Sequence, residues 1–446
     1  MKPALTAQAT NHLTQATCFS STLSAIGGFE TSPTIAIAVS GGADSMALLL
    51  LTHDWVQKHG GKVIGLTVDH GLRPESTQEA QTVCGWCNDR GIEHHILSAQ
   101  NSIFRIEAKT QDAARRARYG LLTEWCKKNH VLHLLTAHHQ GDQVETLFFR
   151  LSAGSGIDGL ASMPMVSIMN GVRVIRPLIE IKKYELQIFL NKKKQKWIED
   201  LTNRKLHYTR NLIRMKLEGN SHIQSSAHNV AERYGNIRNH MENKLASYLT
   251  KSVYIFPGGY GYIDLESFSA MPNEYAKRAL SALLQTLNGD EHPPRTYKLQ
   301  RLYKEILERS IRRRTLGGCQ LIYQAKYNRL LVCREPKAME NALALPPHSR
   351  AIWDNRFEVK NLDNREFSVR ALGADGIKKL GAFRHIIHEK VILSALPSFW
   401  RLEELVAAPH IHYRNPDFGH TACAARFFPA KALAAAPFFR LNKVDE

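Results

Sequence analysis

The feature that most limits what this chain can fold into is an apolar run, six small or polar residues, and a second apolar run. Ile35-Ala36-Ile37-Ala38-Val39 leads into Ser40-Gly41-Gly42-Ala43-Asp44-Ser45, and Met46-Ala47-Leu48-Leu49-Leu50-Leu51 follows. The first run predicts a parallel strand buried on both faces, and the second the opening of a helix. A small-residue loop between such a strand and a helix aims backbone N–H groups at an anion, phosphate above all. Gly41 and Gly42 let the main chain approach that anion, and Ser40 and Ser45 add hydroxyl donors. Asp44 is the exception, because a carboxylate there repels phosphate unless a cation such as Mg²⁺ stands between them. The lysine of a G-x-x-x-x-G-K-[ST] loop is missing, so this is a different device. The plainer alternative is a tight glycine turn.

Downstream, strand and helix patterns alternate. Strands are predicted over Lys62–Val68, Ile92–Leu97 and Val131–Ala137, with helices over Thr77–Arg90 and Gln111–Asn129. This rhythm predicts an α/β fold with a parallel sheet covered on both faces by helices. Ligands of such sheets sit at the carboxyl ends of the strands. Three polar clusters fall at those ends: Ser40–Ser45, Asp69-His70-Gly71-Leu72-Arg73, and His138–Asp142. Taken singly, each has a bland reading. Asp69 to Arg73 suits a capped turn, and Arg115 and Arg118 suit a solvated helix face. His138, Asp142 and Glu145 share one predicted helix face, as an unusual metal site or with Asp142 as a cap. Their convergence is the stronger signal. Further on, Arg210 and Arg214 lie one helical turn apart, spaced to grip a carboxylate or phosphate.

The chain has 446 residues, with 59 Lys and Arg against 41 Asp and Glu, a formal net charge of +18 that points to a polyanionic partner, nucleic acid first. No apolar run approaches the roughly 18 residues needed to span a bilayer, so no membrane partner is expected. Met1 to Thr17 lacks a signal-peptide core, which predicts a cytoplasmic location. Seven scattered cysteines predict reduced thiols. Cys84 and Cys87 have C-x-x-C spacing but no second pair, and helix packing is the expectation.

Beyond these motifs, His222–Leu249 predicts a long helix, followed by a strand pair around Val253–Leu265. Helices are predicted over Pro272–Leu287 and Thr296–Glu308, then a basic stretch to Arg314 and a hairpin over Gln320–Arg334. Pro336–Ser349, with Pro346-Pro347, is the expected linker to a small mixed α/β unit.

The motifs S-G-G-A-D-S, V-D-H-G-L-R, A-A-R-x-x-R-Y, A-H-H-x-x-D-Q-V-E-T, R-L-x-x-G-S-G-x-x-G-L, R-P-L and E-D-x-T-N…Y-x-R-N-x-I-R run in order from Val39 to Arg214. Together they resemble one family, the bacterial tRNA(Ile)-lysidine synthetases, within the PP-loop ATP pyrophosphatases that cut ATP between its α and β phosphates. One departure is Gly141, where many relatives carry an additional Asp. The resemblance implies a parallel-sheet PP-loop (adenine nucleotide α-hydrolase-like) catalytic domain over 1–218. A linker helix with a mostly helical tRNA-binding domain over 219–336 and a small mixed α/β C-terminal tRNA-binding domain over 350–446 would follow.

The implied substrates are ATP with Mg²⁺, free L-lysine, and the tRNA(Ile) with a CAU anticodon. In the implied reaction, O2 of the wobble cytidine (position 34) attacks the α-phosphate and releases pyrophosphate. The ε-amine of lysine then attacks C2 and expels AMP, switching reading from AUG to AUA and identity from Met to Ile. The resemblance assigns ATP binding to Ser40, Gly41, Gly42, Ala43, Asp44, Ser45, Asp69, His70 and Arg115, with Asp44 on Mg²⁺. Catalysis is expected of Asp44, His138, Asp142 and Arg210, with His138 and Asp142 orienting and deprotonating the lysine amine and Arg210 anchoring an anionic group. Contact with lysine or tRNA falls to Asp142, Glu145, Asp200, Asn211 and Arg214. Competing readings are a tRNA 2-thiolation enzyme, which needs more cysteine chemistry than Cys84 and Cys87 offer, and a small-molecule amidating synthetase, which leaves the charge unexplained. A non-catalytic RNA-binding protein leaves the strand-end motifs unexplained.

Overall fold

The computed structural model describes residues 16–69, 74–98, 111–199, 209–217, 219–290, 292–385, 389–418 and 423–434. They fall into two compact units divided between His240 and Met241. In the first, helical residues 16–26 (α1) precede β1 (Thr34–Ala38), α2 (Ala43–Lys58), β2 (Lys62–Asp69), α3 (Pro74–Asn88) and β3 (Glu93–Ser98). Then come α4 (Gln111–Lys128), β4 (His133–Leu135), α5 (Gln140–Ser152), α6 (Ile157–Leu160), β5 (Val166–Met169) and β6 (Val172–Ile175). Helices α7 (Lys183–Lys192), α8 (Thr209–Leu217) and α9 (Ser221–Ser252) follow, the last running past His240 into the residues of the second unit.

The six strands form one sheet in the order β3-β2-β1-β4-β6-β5, parallel except for β5. The chain winds outward from β1 to β3 and returns on the other side with β4. The switch point, where a crevice opens beyond the carboxyl ends, is therefore between β1 and β4. Alternation in β1 separates two cores. Ile35 and Ile37 pack with α2 and with Leu186, Phe189 and Leu190 of α7. Ala36 faces the opposite side, with Leu134, Val174 and Tyr119, Leu122 and Cys126 of α4. Met46 to Leu51 are each at most 3% exposed, which is why α2 reads as an unbroken apolar run rather than a one-sided stripe.

The expected parallel sheet is present, with two local differences. β4 is three residues long. The β5–β6 hairpin was not anticipated; its turn, Asn170-Gly171, has both residues at positive φ (51° and 80°), the geometry that a two-residue hairpin requires.

The second unit holds β7 (Val253–Phe256), β8 (Tyr260–Asp264), α10 (Leu265–Ser269), α11 (Asn273–Asn288), α12 (Thr296–Leu307), β9 (Arg313–Leu316), β10 (Cys319–Gln324) and β11 (Arg329–Arg334). Its first sheet is antiparallel, in the order β7-β8-β11-β10-β9. Leu280, Leu283 and Leu284 of α11 and Leu302 and Ile306 of α12 share a core with Ile263, Leu321 and Val332 of this sheet. Four of its strands are the expected strand pair (β7, β8) and hairpin (β10, β11), and β9 is an addition to them. β9 escaped notice because Arg313 and Arg314 look like a solvated run, yet an edge strand tolerates such charges.

Next come β12 (Leu343–Leu345), β13 (Arg350–Trp353), β14 (Phe357–Asn361), β15 (Phe367–Ala371), α13 (Gly373–Lys379), α14 (Lys390–Ser394), β16 (Pro397–Arg401), β17 (Glu404–Ala408), β18 (Tyr413–Arg414) and β19 (Cys423–Phe427). They form sheets ordered β12-β15-β16-β17-β18 and β13-β14-β19. The expected linker is not one, since β12 lies inside it and pairs with β15. Across the same segment, Arg334 donates to the buried Asp354 (3.0 Å), which also binds the fully buried Arg356 (2.5 Å). Among the described residues no helix is long and apolar enough to cross a membrane.

Two histidines outside the switch point give the fold a pH dependence. Burial pushes both His94 and His410 down to about 4. They stay neutral in the folded chain and charge on unfolding, near the ordinary value of about 6.5. Their contribution is complete above pH 6.5 and is lost as the pH falls toward 4. Thermal melts between pH 7.5 and 4.5 are expected to show a falling Tm, with a shallower fall in His94→Gln.

Candidate active site

At the carboxyl end of β1 the six-residue loop is braced from within. The Ser45 hydroxyl accepts from Ser40 N (3.1 Å) and donates to Gly42 O (3.0 Å), so it serves the loop's shape. Gly41 has φ +82°, and a Cβ there would meet Ile198 Cδ1 at 2.7 Å and Val83 Cγ2 at 2.9 Å; only glycine fits. Gly42 caps α2 with no side-chain hydrogen bond, so the first-turn N–H groups face the crevice without a capping side chain. Asp44 stands in that first turn. Burial lifts its carboxyl above the usual carboxylate range, opposed by His139 and Lys183. Its Oδ1 is buried with no hydrogen-bond partner.

Facing it across the switch is the start of α5. The helix begins at Gln140, so His138 precedes it rather than sharing a helical face with Asp142 and Glu145. His139 is the N-cap. Its Nδ1 accepts from Gly141 N (3.0 Å), while Asp142 Oδ2 accepts from His139 N (2.9 Å). This reciprocal arrangement supplies the cap anticipated for Asp142. Because Nδ1 accepts, a neutral ring carries its hydrogen on Nε2, assigned from this hydrogen bond. Nε2 lies 3.6 Å from Asp44 Oδ2, so the buried imidazole stands between the two carboxylates. Gly141 makes room for it, since a Cβ there would lie 2.8 Å from His139 Cε1.

The two site carboxylates shift in opposite directions. Burial works to raise Asp142, but His139, His138 and the His139 N–H together hold it below the ordinary range. His138 is driven far down by burial and then by Arg176, so it is neutral at working pH; its Nδ1 lies 3.0 Å from Thr136 Oγ1. Arg176 is itself buried, donating to Pro164 O (2.9 Å) and Ser167 Oγ (3.0 Å).

Other expected contacts are arranged differently. The carboxylate that Arg214 grips is Glu145, through Nε–Oε1 (2.6 Å) and Nη2–Oε2 (3.0 Å). Val144 and Leu147 of α5 pack with Ile213 and Leu217 of α8, which brings the pair together. Glu145 is largely buried, so Arg214→Ala leaves its carboxylate unpaired and is expected to cost about 1–3 kcal/mol. A double-mutant cycle with Glu145→Gln, read by denaturant melts, is expected to recover much of that loss.

Asp69 accepts from Ser76 Oγ (2.7 Å) and Thr77 Oγ1 (2.8 Å), binding the end of β2 to the first turns of α3. Arg115 lies over the Tyr119 ring, 5.2 Å from its centroid. Arg210 and Asn211 stand in the first turn of α8. His70 and Asp200 lie outside the described residues. Cys87 is buried in the core beside α2 with its thiol pushed up to about 12, and Cys84 is half-buried. His139 and Lys183, whose Nζ is 3.9 Å from Asp44 Oδ2, were not foreseen. The helix start marks the first, while nothing local to its sequence marks the second.

Among the described residues no group of three or more His, Cys, Asp or Glu is placed to hold a metal. One carboxylate with a free buried oxygen instead suits an ion such as Mg²⁺, which keeps waters and takes substrate phosphates as its other ligands.

This loop at the β1–β4 switch of a parallel sheet defines the class. The PP-loop domain family matches residues 11–220. Over longer spans, the chain is 35% identical to the tRNA(Ile)-lysidine synthase of Rickettsia bellii (strain RML369-C) across 411 residues, 88% of this chain and 92% of that one. It is 34% identical to that of Wolbachia pipientis wMel across 396 residues (86% and 90%) and 34% to that of Ruegeria pomeroyi across 377 (84% and 88%). The chain belongs to the tRNA(Ile)-lysidine synthase family.

Proposed function

We propose that this chain uses ATP to join the ε-amine of free lysine to C2 of the wobble cytidine of the CAU-anticodon tRNA(Ile), releasing AMP and pyrophosphate. The observation that carries this reading is the buried, unpartnered Asp44 oxygen beside an uncapped helix start, across the strand switch from Asp142. Residues 1–218 carry the chemistry, and the segments after them contact the tRNA, consistent with the net charge of +18.

In the first step the loop and the first turn of α2 hold the outer phosphates while cytosine O2 attacks the α-phosphorus in line. Positioning outweighs base catalysis here, because O2 has no proton to lose. Asp44 would hold Mg²⁺ there, and the ion would supply charge neutralisation on the phosphates. Arg115, with Asp69 and His70, completes the nucleotide contacts.

In the second step the lysine ammonium must lose a proton before attacking C2. Desolvation in the crevice lowers its pKa from about 10.4, and the proton passes to water as the amine enters. Asp142 orients it, and His138, which stays neutral, contributes a hydrogen bond rather than taking the proton. Arg210 and Asn211 are assigned to an anionic group of lysine or nucleotide, and Asp200 to a further polar contact. Glu145 and Arg214 act as a pair that sets the α5–α8 spacing. A wobble base is already unpaired and enters such a crevice at low cost.

The test is mass analysis of the wobble base after incubation with ATP, lysine and CAU-anticodon tRNA. Lysine-dependent mass gain with AMP release is expected. Sulfur-dependent modification, or ADP and orthophosphate in place of AMP, overturns the reading.

A further inference from the structure

The phosphate-facing loop has no lysine of its own, yet an ammonium stands at its mouth. Lys183, in the first turn of α7, holds Nζ 3.9 Å from Asp44 Oδ2 with its side chain 54% exposed. The helix that carries it is fixed at both ends. Ahead of α7, Ile181 O accepts from Gln140 N (2.9 Å), which ties it to the start of α5. Beyond α7, Ile198 N donates to Gly41 O (2.9 Å), which ties it to the loop itself. Between them Leu186, Phe189 and Leu190 lie in the core that buries α2, and Lys193 pairs with Asp54 at 3.0 Å.

An ion pair this long and this exposed contributes little to stability, so a brace does not account for it. Its placement does. We infer that Lys183 is a further catalytic residue of the ATP-cleaving step, delivering from a separate helix the phosphate-binding ammonium that other phosphate loops carry within themselves. Asp44 keeps the ammonium in position until a nucleotide enters, and the nucleotide's outer phosphates then take it over. As the bond from O2 of the base to the α-phosphorus forms, the bond from that phosphorus to the bridging oxygen breaks. The electron pair leaves on pyrophosphate. Lys183 donates hydrogen bonds to the charge that builds there. This rests on the reading that ATP is cut between its α and β phosphates.

The test compares the full chain with Lys183→Met and Lys183→Arg. Calorimetry measures binding of α,β-methylene ATP, and steady-state assays vary ATP and lysine separately. Losing one charge-assisted phosphate contact is expected to weaken analogue binding about tenfold and to lower kcat/KM for ATP about a hundredfold in Lys183→Met. The KM for lysine and the melting temperature should not change, and Lys183→Arg should recover most of the loss. Wild-type analogue affinity and wild-type kcat/KM for ATP in Lys183→Met would overturn the assignment. If the unaltered chain forms no AMP, the proposed reaction fails instead, and the binding arm still decides the role of Lys183.

Discussion

Asp44→Asn is expected to lower AMP formation by about 10²- to 10³-fold, the scale on which one preorganised electrostatic contact to developing charge acts. The substitution keeps the size and one acceptor oxygen, and removes only the negative charge. Two further readouts separate this role from a structural one. Burial raises the Asp44 carboxyl, so the ionised group works against folding at neutral pH, and the Asn variant should melt at or above the wild-type temperature. Nucleotide binding without Mg²⁺ should hold or improve, because a carboxylate that repels phosphate has gone, while the gain on adding Mg²⁺ should vanish. A variant that forms AMP at the wild-type rate removes Asp44 from the chemistry.

Asp142 has two jobs, and two substitutions pull them apart. Its carboxylate accepts from His139 N at the start of α5 and stands beside Asp44 across the switch. Asp142→Ala loses both, and is expected to abolish lysine addition and to cost about 1 kcal/mol of stability through the cap. Asp142→Asn keeps an acceptor for the His139 N–H but not the charge, so it should recover only the capping part of the melting temperature and leave lysine addition abolished. The wild-type carboxyl is held below its ordinary value, so its stabilisation is present at neutral pH and lost as pH falls through that lowered value. Full lysine addition by Asp142→Asn would show that the charge is not needed.

What could be read in advance follows from how far apart the cooperating residues lie. The loop from Ser40 to Ser45 is specified by its immediate neighbours, a buried strand and a buried helix, and its conformation follows from them. The same is true of the strand-end position of His138 to Asp142. Pairings between distant segments are decided by packing. Arg214 was expected to grip an anion, and it does, but the anion is Glu145, 69 positions away, chosen because α8 lies on α5. Lys183 reached Asp44 in the same way. Asp69 stands at the strand end where its motif puts it, and packing adds two partners that its own motif does not announce, the hydroxyls of Ser76 and Thr77. In the second unit, β9 and β12 were missed because short strands depend on their neighbours more than on their own pattern.

Ile35 pairs with His133, so β1 and β4 are neighbours although β2 and β3 lie between them in the chain. A chain still emerging from the ribosome therefore carries the nucleotide loop before it carries anything to face it. Such a half-made molecule has no crevice in which to consume nucleotide. Because contacts between remote segments form late, recovered catalysis would be the last sign of a refolding chain having finished.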